Sequence, residues 1–487
     1  MASHKPNILL IMSDQHRIDC LGAYGNQDIK TPNIDALAEK AVVYENSFCS
    51  SPLCTPSRYS LITGLYPHQH LGFTNYCTIP PKLDTFPRLL KEQGYKTKAI
   101  GKMHYTPTYL DVGFEDMELA EQNGEGRYED DYHHYLREHN LVDEIDLIDQ
   151  VDEYREEAPQ EYWDTLGAME SNLPEEHHST TWIGDKALDS INRWENDSND
   201  ANFLMVSFIK PHHPFDPPYP WSEMYDPEDL DILPGWTSEC LERDLEFHEG
   251  FFKHSQMKEE QLKRAMAYYY ASISQIDDYV GKMTKLLKEK GLYEDTMIVY
   301  TSDHGEYLGF HHLLLKQNHM YDPVIKVPLI IKYPADINRE ERSQDLVTNI
   351  DLAPTFLSVA GVEKGEFMPG TDISNLKVDR EYVFAEQGRG LQYMIRSKNY
   401  KLLFSKDKAR CQFFDLNKDP LELENLYHDT TYSDEIKAHK EELFNMLLFE
   451  TLPSVYLDPE APEISSETSN KERDKESMKD WIRKQMN

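Results

Sequence analysis

The segment Asn7-Ile8-Leu9-Leu10-Ile11-Met12, followed by Ser13-Asp14-Gln15-His16, decides the fold class of this chain. A continuous, largely apolar run that ends in polar residues is typical of a strand buried on both faces of a parallel sheet. In such sheets, ligands bind beyond the carboxyl ends of the strands. The segment therefore predicts an α/β fold with Asp14 at its ligand-binding edge.

Strand-like and helix-like segments alternate along the rest of the first 370 residues. Strands are predicted at 42–44, 96–101, 203–208, 297–300 and 327–332, and helices at 31–38, 86–92, 180–194 and 259–290. This alternation predicts a large mixed, mostly parallel sheet flanked by helices.

The pattern of apolar and polar residues changes after Pro369-Gly370. Short alternating runs separated by turn residues predict a smaller, C-terminal antiparallel sheet, and 434–450 reads as a helix packed on it. We therefore predict a catalytic domain at 1–370 with an insertion at 118–257, an α+β subdomain at 371–455 and a polar tail at 456–487. Two readings of the tail stay open: it is mobile, or it docks on another subunit of a homo-oligomer.

The charge balance restricts the partners of the protein. The chain of 487 residues carries 50 Lys and Arg against 87 Asp and Glu, a formal net charge of −37. Nucleic acid and anionic membrane surfaces would be repelled at long range, so we expect neither as a partner.

Cysteine usage and the N-terminal sequence favour a cytoplasmic protein. The six cysteines contain no C-x-x-C pair and are too sparse for a disulfide framework. The first residues lack the apolar region of a signal peptide, and no segment reaches the length of a transmembrane helix.

The polar turn Ser51-Pro52-Leu53-Cys54-Thr55-Pro56-Ser57-Arg58 contains the candidate nucleophile. Pro56 discourages a helix from starting before Cys54, and Ser57 is a candidate helix cap for the apolar run at 59–62. A helix N-terminus with Arg58 beside it suits a tetrahedral oxyanion such as sulfate or phosphate. Taken alone, Cys54 could equally be a buried, inert thiol.

Two further carboxylates follow predicted strands. Asp14 is followed by Gln15, and Asp303 in Ser302-Asp303-His304-Gly305-Glu306 is followed by His304. Either aspartate alone is typical of a helix cap, but two strand-end pairs near a helix-start cysteine favour a metal site.

The run Cys54-Thr55-Pro56-Ser57-Arg58, continuing into Leu61-Ile62-Thr63-Gly64, resembles the signature of the type I sulfatases, members of the alkaline phosphatase superfamily. The resemblance extends from Pro6 to about Tyr427 and implies an alkaline phosphatase-like fold. It also implies that Cys54 is oxidised to Cα-formylglycine by a maturation enzyme that reads the Pro and Arg of the motif.

The resemblance further implies a set of site residues. A divalent metal, by family default Ca²⁺ with Mn²⁺ as the alternative, would be held by Asp14, Gln15, Cys54, Asp303 and His304. This chain has Asp14-Gln15 where the commonest family pattern has Asp-Asp, so the site carries one negative charge fewer. Catalytic roles around the sulfate would fall to Cys54, Arg58, Lys102, His104, His212 and Lys316, with His213 as a rival to His212 and Asn75 as a weaker candidate.

These residues predict a sulfatase that hydrolyses a sulfate monoester of a small molecule or saccharide to alcohol and inorganic sulfate. Gln15 leaves open a phosphonate monoester or phosphodiester hydrolase with the same nucleophile. An inactive homologue that binds metal and an anion is the third reading. The acidic insertion suggests that the alcohol part of the substrate is cationic or neutral rather than polyanionic.

Overall fold

The computed structural model describes residues 5–451, except 196–200, 317, 318, 336, 338, 340, 375, 376 and 389, together with residues 475–486. Within these residues the strands are β1 (Asn7–Asp14), β2 (Val42–Phe48), β3 (Lys96–Gly101), β4 (Asp116–Leu119), β5 (Asn202–Pro211), β6 (Thr296–Ser302), β7 (Leu329–Lys332), β8 (Glu341–Thr348), β9 (Val383–Gln387), β10 (Gln392–Arg396), β11 (Tyr400–Phe404) and β12 (Gln412–Asp415).

The α-helices of the same residues lie between and around these strands. They are α1 (Pro32–Ala38), α2 (Cys54–Thr63), α3 (Pro67–His70), α4 (Phe86–Glu92), α5 (Gly126–Glu129), α6 (Asp131–Glu138), α7 (Glu144–Gln150), α8 (Asp152–Arg155), α9 (Gln160–Asp164), α10 (Ser179–Asn192), α11 (Glu242–Phe247), α12 (Glu259–Glu289), α13 (Asp322–Ile325), α14 (Leu352–Val359), α15 (Ser433–Asn445) and α16 (Lys475–Met486).

Eight of the described strands form one sheet in the order β4-β3-β5-β1-β6-β7-β2-β8. Pairing is parallel from β4 to β6 and between β2 and β8, whereas β7 runs antiparallel to both of its neighbours. Leu9 and Ile11 of β1 face a core with α1, α10 and α12, and Ile8, Leu10 and Met12 face a second core with α2, α4 and α14. The prediction of a mostly parallel sheet buried on both faces is confirmed.

The sequence did not predict β4 and β8, the two outer strands of this sheet. Residues Glu341, Arg342 and Gln344 of β8 and Asp116 of β4 are exposed. Charged residues are common on edge strands, where they discourage pairing with other chains, and they remove the apolar run that marks a buried strand.

The predicted antiparallel sheet is also present, in the order β12-β11-β10-β9. It packs on α15, whose continuation Met446–Glu450 forms a π-helix, so the predicted helix at 434–450 is confirmed in its main part. The boundaries after residues 370 and 455 stay predictions.

The end of the tail packs on its own chain. Met478 and Ile482 of α16 form a buried cluster with Leu147 of α7, a contact that neither reading of the tail included. Docking of the tail on another subunit stays a prediction. Met478 and Ile482, four residues apart, share one helical face, which the polar composition of the tail conceals. Residues 456–474 of the predicted tail lie outside the described residues.

Candidate active site

The predicted site residues lie at the carboxyl ends of four neighbouring strands, β3, β5, β1 and β6. Lys102 and His104 follow β3, His212 follows β5, Asp14 and Gln15 stand at the end of β1, and Asp303 and His304 follow β6. Helix α2 begins with Cys54 at the same edge, as the contacts below show. This is the location that parallel sheets use for ligands.

Helix α2 starts at Cys54, preceded by Leu53 in an extended conformation with no side-chain cap. The prediction that Ser57 caps the helix is therefore wrong, because Ser57 lies one turn inside it. Its hydroxyl instead donates to the backbone carbonyl of Asp303 at 2.5 Å. This bond ties the start of α2 to the end of β6.

Arg58 connects the two strand-end carboxylates. Its Nε donates to Asp303 Oδ2 at 2.7 Å and its NH2 group to Asp14 Oδ2 at 2.8 Å, with all three side chains fully buried. Another donor on the same guanidinium bonds the hydroxyl of Ser207 at 2.9 Å and the carbonyl of Lys102. The planar guanidinium of Arg58 thus fixes the positions of the two carboxylates relative to each other.

The two aspartates have opposite electrostatic environments. Burial and the neighbouring Cys54 act to raise the pKa of Asp14, yet Lys102, His212 and Arg58 hold that pKa far below its usual range. Burial and the charge of Asp14 raise the pKa of Asp303. Lys102 lowers the pKa of Asp14 through a direct ion pair, in which Nζ lies 2.8 Å from Asp14 Oδ2.

Four side chains form a cluster with the composition of a cation site: Asp14, Cys54, Asp303 and His304 each offer one ligand atom within 4.8 Å of the others. His304 Nε2 lies 3.8 Å from an oxygen of each aspartate, and its Nδ1 is fixed by the Gly305 carbonyl at 2.9 Å. Two carboxylates and one imidazole fit a hard or borderline divalent ion.

Gln15 lies next to this cluster. Its Oε1 accepts a hydrogen bond from Lys316 Nζ at 2.7 Å, and the same ammonium lies 3.1 Å from His304 Nε2. The Gln15 amide group is oriented by Glu306, which accepts from Nε2. The backbone of Gln15 has φ 62°, a rare conformation for a non-glycine residue, and its N–H donates to Asp303 Oδ1 at 3.0 Å.

Cys54 Sγ lies at the centre of these groups. It is 3.1 Å from Lys316 Nζ, 3.1 Å from His304 Nε2 and 3.7 Å from Asp14 Oδ1. Burial acts to raise the pKa of this thiol, but Lys316, His304 and Lys102 lower it well below its ordinary value. An inert thiol under a loop has no such surroundings.

The loop after β3 presents Lys102 and His104. Gly101 at φ 94° begins it, and a Cβ at this position would lie 2.0 Å from the Ser207 carbonyl oxygen, so only glycine fits. Glu121 accepts hydrogen bonds from the backbone N–H groups of Met103 and His104 at 3.0 and 2.9 Å. Among the described residues, neither ring nitrogen of buried His104 forms a hydrogen bond of regular geometry, but the ring lies close enough to Cys54 to help lower the pKa of that thiol.

The remaining predicted residues lie around this centre. Burial, followed by the charges of Lys316 and Lys102, lowers the pKa of His212 well below its ordinary value. His213 stacks on His212 with ring centroids 4.3 Å apart. Asn75 Oδ1 accepts from the backbone N–H of Thr55 at 3.2 Å, in the first turn of α2.

Sequence reasoning missed three supporting residues: Glu306, Glu121 and Gln122, whose Oε1 accepts from Lys102 Nζ at 3.1 Å. Glu306 belongs to a quoted motif, but its partner Gln15 lies 291 residues away. Glu121 and Gln122 lie in the acidic insertion, where many carboxylates carry no distinguishing pattern.

Together these residues define a site for hydrolysis of an oxyanion ester, with a nucleophile position at a helix start, cations beside it and a carboxylate–imidazole cluster. The Sulfatase family model matches residues 6–362, and a model described as N-sulphoglucosamine sulphohydrolase, C-terminal, matches residues 309–447. The chain belongs to the sulfatase family.

Individual relatives agree with this assignment. The chain is similar to an arylsulfatase of Clostridium perfringens, 31% identical over 465 residues, which cover 89% of this chain and 92% of the relative. An N-acetylglucosamine-6-O-sulfatase of Bacteroides thetaiotaomicron is 27% identical over 495 residues, covering 92% and 86%. The protein is a sulfatase, a hydrolase of sulfuric esters.

One solved structure illustrates the wider superfamily. A phosphonate monoester hydrolase of Agrobacterium radiobacter matches with a TM-score of 0.75 at 23% identity, covering 91% of this chain and 95% of that one. At this identity the likeness concerns the fold. In the described part of the chain, none of the helices has both the length and the apolar character needed to span a bilayer.

Proposed function

We propose that the protein hydrolyses a sulfate monoester with a Cα-formylglycine made from Cys54 by a maturation enzyme. The observation that carries this proposal is the position of Cys54, which starts α2 and lies 3.1 Å from both Lys316 Nζ and His304 Nε2. As the hydrated aldehyde, residue 54 would supply the hydroxyl that attacks sulfur, and the aldehyde would re-form as sulfate leaves.

Asp14, Gln15, Asp303 and His304 would hold one divalent metal ion, with residue 54 beside it. Such an ion polarises the sulfate and lowers the pKa of a hydroxyl group next to it. Three oxygen donors favour Ca²⁺, and the imidazole of His304 makes Mn²⁺ the alternative. The fully buried Arg58 offsets part of the negative charge of the two aspartates when the ion is absent.

The remaining residues would handle charge and protons. Lys102 and Lys316, whose charges both act on Cys54, would offset the negative charge of the sulfate group. His104 is free to take a proton from residue 54, since its ring nitrogens have no other partner among the described residues. His212 would give a proton to the leaving oxygen as the S–O bond breaks. It must first be protonated, and the negative charge of a bound sulfate ester favours this against the lysine charges that lower its pKa.

Gln15 supports one alternative, a phosphonate monoester or phosphodiester hydrolase with the same nucleophile. The neutral amide removes one negative charge from the metal site, and the fold likeness to a phosphonate monoester hydrolase extends over 91% of the chain. We place the sulfatase first because the family match and both named relatives above are sulfatases.

The test compares kcat/KM for 4-nitrophenyl sulfate and for a 4-nitrophenyl phosphonate monoester. The protein should be co-expressed with a formylglycine-generating enzyme, stripped with a chelator and reloaded with Ca²⁺ or Mn²⁺. We expect the sulfate to be preferred by at least about tenfold, equal to about 1.4 kcal/mol of transition-state stabilisation. Preference for the phosphonate with both metals would replace the proposed function by its alternative.

A further inference from the structure

His213 belongs to a side-chain pair that the proposed mechanism does not use. Its Nδ1 lies 2.7 Å from Asp149 Oδ1, at the end of α7 in the acidic insertion. The Asp149 side chain is fully buried, whereas the His213 side chain is 13% exposed. The pair therefore extends from the interior of the insertion to an open edge of the site.

Asp149 is held by two partners besides His213. Tyr162 Oη donates to its Oδ2 at 2.6 Å, and the Gln150 side chain donates to its Oδ1. Burial acts to raise the pKa of Asp149, but His213 and Tyr162 lower it below the ordinary value. Asp149 faces Nδ1 at ion-pair distance rather than in regular hydrogen-bond geometry. A carboxylate beside Nδ1 favours the proton on that nitrogen, which leaves Nε2 as the acceptor nitrogen of the ring.

The backbone of His213 is fixed as well. Its carbonyl accepts from Gln122 Nε2 and from Gln150 Nε2, both at 3.1 Å, and from His212 Nδ1 at 2.7 Å. Gln122 also accepts from Lys102, a predicted sulfate-binding residue. The backbone of His213 and the ammonium group of Lys102 thus share Gln122 as a hydrogen-bond partner.

His213 lies beside His212, the residue that would give a proton to the leaving oxygen. His212, the neighbour in the stack, is near enough to Lys102 and Lys316 that their charges lower its pKa. His213 lies one ring spacing, 4.3 Å, from His212. Its Nδ1 is enclosed by Asp149 while the side chain keeps an exposed edge, so Nε2 is the ring nitrogen open to a ligand.

The surroundings of His213 argue against a cationic alcohol. Phe251 lies 5.9 Å from the His213 ring, and the guanidinium of Arg155 already covers Phe251 at 4.7 Å. The exposed Tyr76 packs against His104 with ring centroids 6.2 Å apart, and the charges of Lys102 and Arg155 act on it, opposed by Cys54 and Asp152. A quaternary ammonium group needs aromatic faces that are not already occupied by cations.

We propose that His213 binds the alcohol part of the substrate through Nε2, accepting a hydrogen bond from a hydroxyl group, and that Asp149 positions it. The substrate class is then a hydroxyl-bearing alcohol, a saccharide or polyol sulfate. This inference rests on the proposed function, because it assumes that a sulfate ester is bound with its sulfur at residue 54.

The experiment measures kcat/KM for three kinds of sulfate: a panel of monosaccharide sulfates that includes N-acetylglucosamine 6-sulfate, then 4-nitrophenyl sulfate, then choline sulfate. His213→Phe keeps a ring of similar shape without Nε2, and Asp149→Asn keeps His213 but replaces the carboxylate beside its Nδ1 by a neutral amide. His139→Phe, an exposed histidine just after α6, is the matched control.

We expect His213→Phe to lower kcat/KM for the best saccharide sulfate by about tenfold through KM, the loss of one hydrogen bond to a hydroxyl. The value for 4-nitrophenyl sulfate, which has no hydroxyl there, should stay within about twofold, as should both values in the control. Asp149→Asn should produce a smaller loss of the same kind, and it tests the proposal even where His213→Phe does not fold.

Three results would overturn the inference: an equal loss on saccharide and nitrophenyl sulfates, no change on either, or a wild-type enzyme that prefers choline sulfate. A wild-type enzyme that is converted at Cys54 and yet cleaves no sulfate would instead overturn the proposed function, and the inference would fall with it.

Discussion

At the residue scale, Arg58 binds the two strand-end aspartates. The sequence indicated a donor fork beside a helix start, and the structure shows that fork between Asp14 and Asp303, each pair shorter than 3 Å. Without a cation between them, the two buried carboxylates would repel each other strongly, because charges interact over short distances with little screening inside a protein.

Arg58→Met should therefore destabilise the metal-free protein. Removing one partner from a buried ion pair leaves an uncompensated charge and costs about 3–5 kcal/mol of the free energy of unfolding. Urea unfolding in the presence of a chelator measures it. Arg88→Met is the control. Arg88 is partly exposed, donates to the backbone carbonyls of Leu83 and Asp111 at 2.9 Å and pairs with the Asp111 carboxylate at 3.9 Å, so its loss should cost only about 1–2 kcal/mol. Equal midpoints for the two variants would contradict this account of Arg58.

At the element scale, the sequence predicted buried strands and the long helix well but missed elements whose partners lie far away. The burial of Met266, Ile273, Ile276 and Val280 in α12 follows from their helical spacing alone. By contrast, α16 is stabilised by contact with α7 more than 320 residues earlier, which no local pattern records.

Ile482→Asp should release α16 from the insertion. Ile482 is 3% exposed, and placing a carboxylate among Leu147 and Met478 removes about 2 kcal/mol of apolar burial and adds an unpaired charge. Hydrogen exchange of residues 475–486 should become faster, and so should that of α7. Lys484→Asp, an exposed position on the same helix, should leave both rates unchanged. Faster exchange in the control, or none in Ile482→Asp, would contradict the docking.

At the scale of the whole molecule, a buried ion cluster joins the two sheets. Asp322 at the start of α13 lies 3.0 Å from Arg396 of β10 and 3.0 Å from Lys401 of β11. Lys401 also pairs with Glu422 at 2.6 Å, and Glu422 accepts from the backbone N–H of Asp322 at 2.7 Å. The segment that carries Lys316 is thereby anchored to the C-terminal sheet six residues further on.

This cluster predicts a specific acid sensitivity. Burial acts to raise the pKa of Asp322, but Arg396, Lys401 and Lys326 hold it well below the ordinary range. Its stabilising contribution is therefore complete above the unfolded-state pKa of about 3.9 and is lost as the pH falls toward the lower folded-state value.

Asp322→Asn should reduce the slope of unfolding free energy against pH below about pH 4, and it should lower stability at pH 7. Chemical denaturation at several pH values measures both effects. Asp189→Asn removes the same charge from an exposed position on α10 and should change neither. A wild-type slope in Asp322→Asn would contradict the cluster's role.

The sequence predicted those site residues that directly follow apolar strands. Asp14 and Asp303 follow apolar runs, so their convergence could be expected from the amino-acid sequence alone. The supporting network could not. Glu121 acts through backbone N–H groups and has no sequence signature. Glu306 belongs to a motif, but its amide partner Gln15 is distant in the chain.

The central claim is that residue 54 acts as a formylglycine. The most direct measurement is peptide mass spectrometry across Cys54 on protein co-expressed with a maturation enzyme, with turnover of 4-nitrophenyl sulfate in the same sample and in Cys54→Ala. The account predicts conversion of the thiol to the aldehyde, turnover in proportion to the converted fraction, and none in Cys54→Ala. An unmodified thiol in a sample that still cleaves the sulfate, or full conversion without turnover, would contradict it.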